Sequence, residues 1–301
     1  MQQTENPHRD LIPAATREGH ILPVIDVTDP RFAVPDDPES LSKLLDAAAE
    51  QERRRRRVPA FITRLMLKGA AKRSLLVRAI SNPDATYLDG LSTYVMKLGA
   101  DNLPPPYNSP VDLRVAASPH LTLLRLRTQQ VARLVADGLV EHLAGNDAAS
   151  LHLINIGGGP AIDSMNTLLL LNRSQRHLLQ RPIVIHVLDL DEAGPFFGAN
   201  ALTALKAQGA PLAGLDISLN HRRYNWNEPA ALKSLVGELV AAGAVIAASS
   251  EGGLFEYGSD AAVVANLVAL RPGARLVAGS VTSADESQRR RLTMTKFKLI
   301  P

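Results

Sequence analysis

The residues best suited to chemistry lie in one stretch, Leu151 to Ser164, with the sequence LHLINIGGGPAIDS. Leu151, Leu153, Ile154 and Ile156 make an apolar run that reads as a buried strand. Gly157, Gly158 and Gly159 follow at once, and Pro160 is expected to open a long apolar-periodic helix. Proline suits a first helical position because its missing N–H would find no partner there anyway. Glycines between a parallel strand and a helix let the backbone come close to a ligand. The helix N-terminus behind them offers N–H groups and a positive dipole end. Such a turn is of the nucleotide-binding kind. A dinucleotide fingerprint, G-x-G-x-x-G, needs a third glycine where Ile162 stands, so a nicotinamide oxidoreductase is the weakest nucleotide reading.

The rest of this half alternates strand and helix, the signature of a parallel α/β sheet. Ile183–Leu188 reads as the second strand and ends in Asp189-Leu190-Asp191, where a carboxylate can accept both hydroxyls of a ribose. Asp191 fits better as the N-cap of the next helix. Leu215–Leu219 reads as the third strand, followed by His221–Asn227 with the chain's only tryptophan, Trp226. Ala244–Ala248, small and apolar, reads as a central fourth strand, and the polar run Ser249–Gly258 follows it. Ser259-Asp260 caps a helix through Leu270, and Leu270-Arg271-Pro272-Gly273 turns into a fifth strand, Ala274–Ala278.

The set Asn155, Gly157, Gly159 and Ala161 resembles motif I of the class I S-adenosylmethionine (SAM)-dependent methyltransferases. The helix followed by L-x-P-G and an apolar strand is similar to the same family. The resemblance covers residues from about 146 to 301 and reaches the N-terminal half only through architecture. It implies a doubly wound, mostly parallel Rossmann-like sheet under an N-terminal helical cap. It also implies methyl transfer from SAM to an O, N or C nucleophile, leaving S-adenosylhomocysteine, with no metal required.

By the same resemblance Asn155, Gly157, Gly158 and Gly159 would line the cofactor, and Asp189 would hold its ribose. Asn225 would supply a polar contact and Trp226 a wall for the adenine. Leu190, Ser249 and Ser250 would complete the cofactor set. Arg127 or Gln130, on the helix before the first strand, would reach the methionine carboxylate. The stretch after the fourth strand is where acceptor meets sulfonium, so Glu251 and Glu256 are candidate general bases and Tyr257 and Phe255 candidate substrate walls. The Asp/Asn-Pro-Pro-Tyr sequence used on exocyclic base nitrogens is absent, which argues against a DNA-base amino methyltransferase. Each position also has a plainer reading: Trp226 closing a core edge, Arg127 and Gln130 solvated, Glu251 only tuning the local field.

The elements that position these residues begin further back. Residues 1–40, interrupted by Pro30, Pro35 and Pro38, read as extended or poorly ordered with one short strand at Ile21–Val27. Residues 41–145 read as a helical cap or substrate-binding region, and 146–301 as the SAM-binding domain. Within the cap, Ser40 is expected to N-cap a helix, Phe61–Ile80 has helical spacing, a further helix spans roughly Tyr87–Leu98, and Ser118-Pro119 starts a helix running from Leu121 to Leu143. Tyr107, beside three prolines, is a candidate substrate contact or a packing residue. After Val281 the pattern thins; Lys296–Pro301 reads as a strand or linker. The family's closing helix and antiparallel strand pair do not fit in what remains, so its C-terminal strands are expected to be incomplete or that edge covered by another chain.

With 46% apolar residues in 301, the chain can bury a real core. No cysteine is present, which removes disulfides and cysteine-based sites and suits a cytoplasmic protein. No apolar leader and no run of 18 apolar residues occurs, so neither secretion nor a membrane partner is expected. The eight histidines are scattered, without metal-ligand spacing. Charge is uneven: Gln51–Ile80 holds ten Lys or Arg against Glu52, a net of +9 in a chain of +3, so the remainder is about −6. Five of the ten are the run Arg53–Arg57. A solvated helix face is the plain reading of that run, because no aromatic residues interleave with it. The expected partner is therefore a small-molecule acceptor such as a secondary metabolite, since a private cap suits an enclosed pocket. The alternatives are an RNA-directed methyltransferase using the arginine run, and a SAM-binding protein of the same fold with other chemistry. A homo-oligomer is compatible with either.

Overall fold

The computed structural model describes residues 11–81, 89–146 and 149–281. The N-terminal part forms β1 (Pro13–Ala15), β2 (Ile21–Pro23), α1 (Pro38–Arg56), α2 (Ala60–Ala71), α3 (Leu75–Ile80), α4 (Gly90–Met96), α5 (Pro110–Ala116) and α6 (Pro119–Ala144). The alternating half follows as β3 (Leu151–Ile156), α7 (Ile162–Gln175), β4 (Ile183–Asp189), α8 (Ala193–Lys206) and β5 (Ile217–Arg223). It continues with α9 (Ala230–Ala241), β6 (Val245–Ser250), α10 (Leu254–Tyr257), α11 (Asp260–Leu270) and β7 (Ala274–Gly279). The β3–β7 strands form one sheet in the order β5-β4-β3-β6-β7, parallel throughout. This is an α/β protein with a Rossmann-like sheet.

Both faces of the sheet are covered, as near-continuous apolar strands require. Pleating sends Leu151, Leu153, Ile183, Ile185 and Val245 to the face shared with α6, α7 and α8. Ile154, Ile156, Leu188, Ile246 and Ala248 go to the face shared with α9 and α11. The helical cap joins the first of these cores: Leu91, Tyr94, Leu121, Val131 and Leu139 pack into the cluster that contains β3.

Residues 11–34, expected to be extended or poorly ordered with a strand at Ile21–Val27, are packed onto the core, and the strand there, β2, ends at Pro23. β1 and β2 pair antiparallel, and Leu22, Val24, Ile25, Val27 and Phe32 are buried. Side chains replace the partner strand that this segment lacks. Tyr94 Oη accepts from Ile25 N–H and donates to the Pro23 carbonyl. Asn166 takes Val27 N–H and gives to Ile25 O, and Gln129 pairs both ways with the backbone of Val34. Amide side chains thus fulfil the backbone's obligatory hydrogen bonds, which no composition count reveals.

Other boundaries move for local reasons. α1 is capped by Asp37, which accepts from Ser40 N–H, rather than by Ser40 itself. The helical run Phe61–Ile80 is two helices, because the Ser74 hydroxyl caps α3 by accepting from Val77 N–H. α4 starts at Gly90, capped by Asp89; Tyr87, where that helix was expected to begin, lies outside the described residues. β5 extends to Arg223, paired with Asp189, so His221 to Arg223 belong to a sheet-edge strand and not to a loop. β6 continues through Ser249 and Ser250. The expectations for 285–301 also fall outside the described residues. No helix among the described residues is long and apolar enough to cross a membrane.

Candidate functional site

The strand order reverses at β3: the chain moves outward to β4 and β5, then returns to β6 on the other side. In open α/β sheets ligands bind outside the carboxyl ends of the strands at this switch point. Here the carboxyl ends of β3, β4 and β6 deliver the glycine turn, Asp189 and the stretch from Ser249.

Three residues of the turn have positive φ, Gly157 (+63°), Gly159 (+51°) and Ala161 (+54°), the same three that follow Asn155 at every second position in the sequence motif. The glycines adopt this left-handed region freely, whereas Ala161 is held in it against steric strain. The chain therefore needs two extra residues before the helix can begin, and α7 starts at Ile162 instead of Pro160. Its first turn receives no side-chain cap.

Each glycine also faces a different neighbour at close range. A Cβ on Gly157 would lie 2.9 Å from the Trp226 ring. One on Gly158 would run into the Asn155 side chain, and one on Gly159 would lie 2.7 Å from Gly90 Cα at the start of α4. A Cβ on Gly194, in the first turn of α8, would lie 2.8 Å from Gly159 Cα, and one on Gly253 would lie 2.6 Å from the Gly157 carbonyl oxygen. At the turn, α4, α8 and the Gly253 stretch therefore come close backbone to backbone.

Asp189 closes this side. Its Oδ2 accepts from Gly159 N–H at 2.8 Å and its Oδ1 from Asp191 N–H at 2.9 Å. Burial pushes its carboxyl up, against the pull of those two N–H groups. Asp191 stands one residue before the N-cap of α8, Glu192, and its carboxylate accepts from Ala193 and Gly194 N–H, while Leu190 is exposed between Asp189 and Asp191. Trp226 lies over Gly157, with its carbonyl accepting from Asn266. Asn225 is turned to local work: its Oδ1 accepts from Asn227 N–H and its amide donates to Glu228.

The β6 side is built from charge. Glu251 receives Lys97 and Thr128 (3.1 Å) on Oε2 and Arg127 Nε on Oε1 at 2.5 Å. Arg127 also pairs with Glu256, and Gly252 is folded close beside its guanidinium. Burial pushes Glu251 up, yet Lys97 and Arg127 outweigh it and hold the carboxyl below its ordinary value. For Arg127, burial lowers the pKa but Glu251 and Glu256 more than compensate. Tyr257 is pushed up to about 12 by burial and by Glu256, with Arg127 opposing. Both Glu251 oxygens act as anchored acceptors, and Arg127 is committed to two carboxylates, so neither stands poised as a base or as a ligand clamp. Gln130 is exposed.

Between the two sides lies a buried polar knot. Asn155 Nδ2 donates to Asp163 (2.6 Å), with Ser164 and Ser249 hydroxyls at 3.3 Å. Burial raises the Asp163 carboxyl, with Ser249 and Lys97 pulling it down and Glu251 adding to the rise. Ser250 donates to the Ile156 carbonyl and accepts from Leu254 N–H, tying β6 to β3.

Lys97, Thr128 and Asp163 are site residues that the sequence reading passes over. Lys97 alone leaves a trace, as one charge inside the apolar run Tyr94-Val95-Met96-Lys97-Leu98. Tyr107 sits apart from the crevice, edge-on to His20 at 6.0 Å. A cleft of about 670 Å³ beside that pair, between the β1–β2 hairpin and Pro104–Asn108, is lined by none of the crevice residues. Among the described residues no group of three His, Asp or Glu is placed to hold a metal ion. The chain matches no protein-family model and no curated protein.

Proposed function

We propose that the crevice binds an adenosyl cofactor of the SAM type and that the protein transfers its methyl group to a small molecule. The carrying observation is Asp189, whose carboxylate stands between the glycine turn and the end of β4. An ionised carboxylate offers about four acceptor sites. Two are used by Gly159 and Asp191 N–H, which leaves two for a pair of vicinal hydroxyls. The uncapped start of α7 and the Trp226 ring over Gly157 fit the same ligand class. When bound, such a cofactor supplies an already activated methyl group.

The chain's own contribution is then positioning and exclusion of water. α4 meets the glycine turn through Gly90 and Glu251 through Lys97, and Arg127 of α6 fixes Glu251 and Glu256 after β6. A useful general base has a pKa near the working pH. Glu251 is held below its usual value and Tyr257 is pushed up to about 12, so neither is matched to that task, and the reading suits an acceptor that need not lose a proton first, such as a ring nitrogen.

Calorimetric titration with SAM, S-adenosylhomocysteine and NAD, on wild type and Asp189→Ala, tests this reading. Hydrogen bonds to a charged acceptor contribute about 1.5–3 kcal/mol, so the variant is expected to weaken adenosyl binding by about tenfold or more. Binding of NAD alone, or SAM affinity untouched by the substitution, would overturn it.

A further inference from the structure

The strongest feature outside the crevice is the α1–α2 corner. α2 turns large apolar side chains to solvent: Phe61 is 72% exposed, Leu65 71% and Met66 65%, with Ile62 and Val58 also exposed. Phe61, Leu65, Lys68 and Lys72 recur at i, i+4, i+7 and i+11, so apolar tips and ammonium groups share one stripe of the helix. Just before α2, in the last turn and C-cap of α1, stand Arg53 to Arg57, all exposed. Glu50 takes Arg53 and Arg54, and Glu52 takes Arg56; among the described residues no carboxylate takes Arg55 or Arg57.

We propose that this corner docks on an anionic lipid surface, with α2 lying flat at the interface. Two observations select that occupant and two more exclude its rivals. Five consecutive arginines encircle a helix completely at 100° per residue, which suits a diffuse field of headgroups and not a partner with one contoured face. The lysines on the apolar stripe have stems long enough to bury while their charges stay at headgroup level. A second copy of the chain would set the same patch against itself across a two-fold axis and press the arginine runs together. A nucleic acid would leave Leu65 and Met66 without a role, and no aromatic residue interleaves with the arginines. The absence of a spanning segment, which removed a membrane partner at the level of sequence, does not bear on a helix that lies on the surface.

Flotation of the full chain with vesicles of phosphatidylcholine alone, and with vesicles also containing phosphatidylglycerol, tests the proposal. Only the anionic vesicles are expected to carry the protein, with binding falling as salt rises. Phe61→Ser with Leu65→Ser is expected to weaken binding by about tenfold or more, and Arg55→Ser with Arg57→Ser to weaken it and flatten the salt dependence. All four residues are exposed, and unchanged circular dichroism and Tm verify that the variants fold. Failure to bind anionic vesicles overturns the proposal, as does binding that the Phe61/Leu65 variant leaves unchanged. Self-association abolished by that variant, without vesicle binding, would assign the corner to a second copy. RNA binding of the same arginine dependence, again without vesicle binding, would assign it to nucleic acid.

Discussion

The two sides of the crevice solve the problem of a polar interior in opposite ways. Around Gly157–Gly159 close backbone approaches dominate, and the carboxylate at the turn, Asp189, meets N–H groups and keeps acceptor capacity in reserve. Around Glu251 the contacts are made by long charged side chains, two cations and two carboxylates whose formal charges cancel. One side keeps acceptor positions beyond its two N–H partners; the other has spent its capacity on itself. The first is held by shape and the second by charge, so they should break under different perturbations.

The largest effect is expected from shape. Gly159→Ala adds a Cβ at 2.7 Å from Gly90 Cα and forces alanine to φ +51°. Overpacking and left-handed strain together should cost about 4 kcal/mol, read as a lower denaturant midpoint. Glu251→Gln comes next. It leaves Lys97 without its carboxylate in a site where the Lys97 side chain is 6% exposed, and the expected loss is about 3 kcal/mol. An unchanged midpoint in either variant would mean that the side concerned is not built as described.

The charged side should also show in acid. Glu251 titrates below its ordinary 4.5 in the folded state, so between that value and its depressed one the unfolded chain binds more protons. Stability contributed by this carboxylate is present above pH about 4.5 and is lost as the pH falls through the folded value. Wild type should therefore lose stability more steeply than Glu251→Gln over that window in urea titrations, and parallel curves would contradict the pairing. The smallest effect is expected at Asn225, whose side chain only braces its own turn. Asn225→Ala should cost about 0.5 kcal/mol and leave adenosyl affinity within about twofold. A larger loss of affinity would return Asn225 to the ligand.

This contrast also explains what could be read beforehand. The backbone side was legible because left-handed turns and strand ends select residue types: Gly157 and Gly159 mark positive φ positions, and Asp189 ends a clear apolar strand, whereas the positive φ of Ala161 is set against its type by the fold. The alternating pattern and the turn at Arg271–Gly273 announce a parallel sheet, not the order of its strands. The charged side was legible in half. Glu251 and Glu256 stood out as polar residues after a small apolar strand. Their partners Lys97 and Arg127 lie 154 and 124 residues from Glu251, and no local spacing announces a pair made by tertiary folding. The buried course of residues 22–34 was missed for the same reason, since Asn166 and Gln129 supply its hydrogen bonds from distant helices.

α4 touches both sides. Its first residue, Gly90, rests on Gly159, and Lys97, just past its last turn, reaches Glu251. At 1.5 Å per residue those ends are about 10 Å apart along one rigid axis. Tyr94, midway between them, pins the axis to Pro23 and Ile25 and packs on Phe197 of α8 with the rings tilted and their centroids 4.7 Å apart. The helix is therefore a strut: its roughly two turns set how far the glycine turn stands from Glu251, so the backbone-built side and the charge-built side are held at one spacing by a single short element.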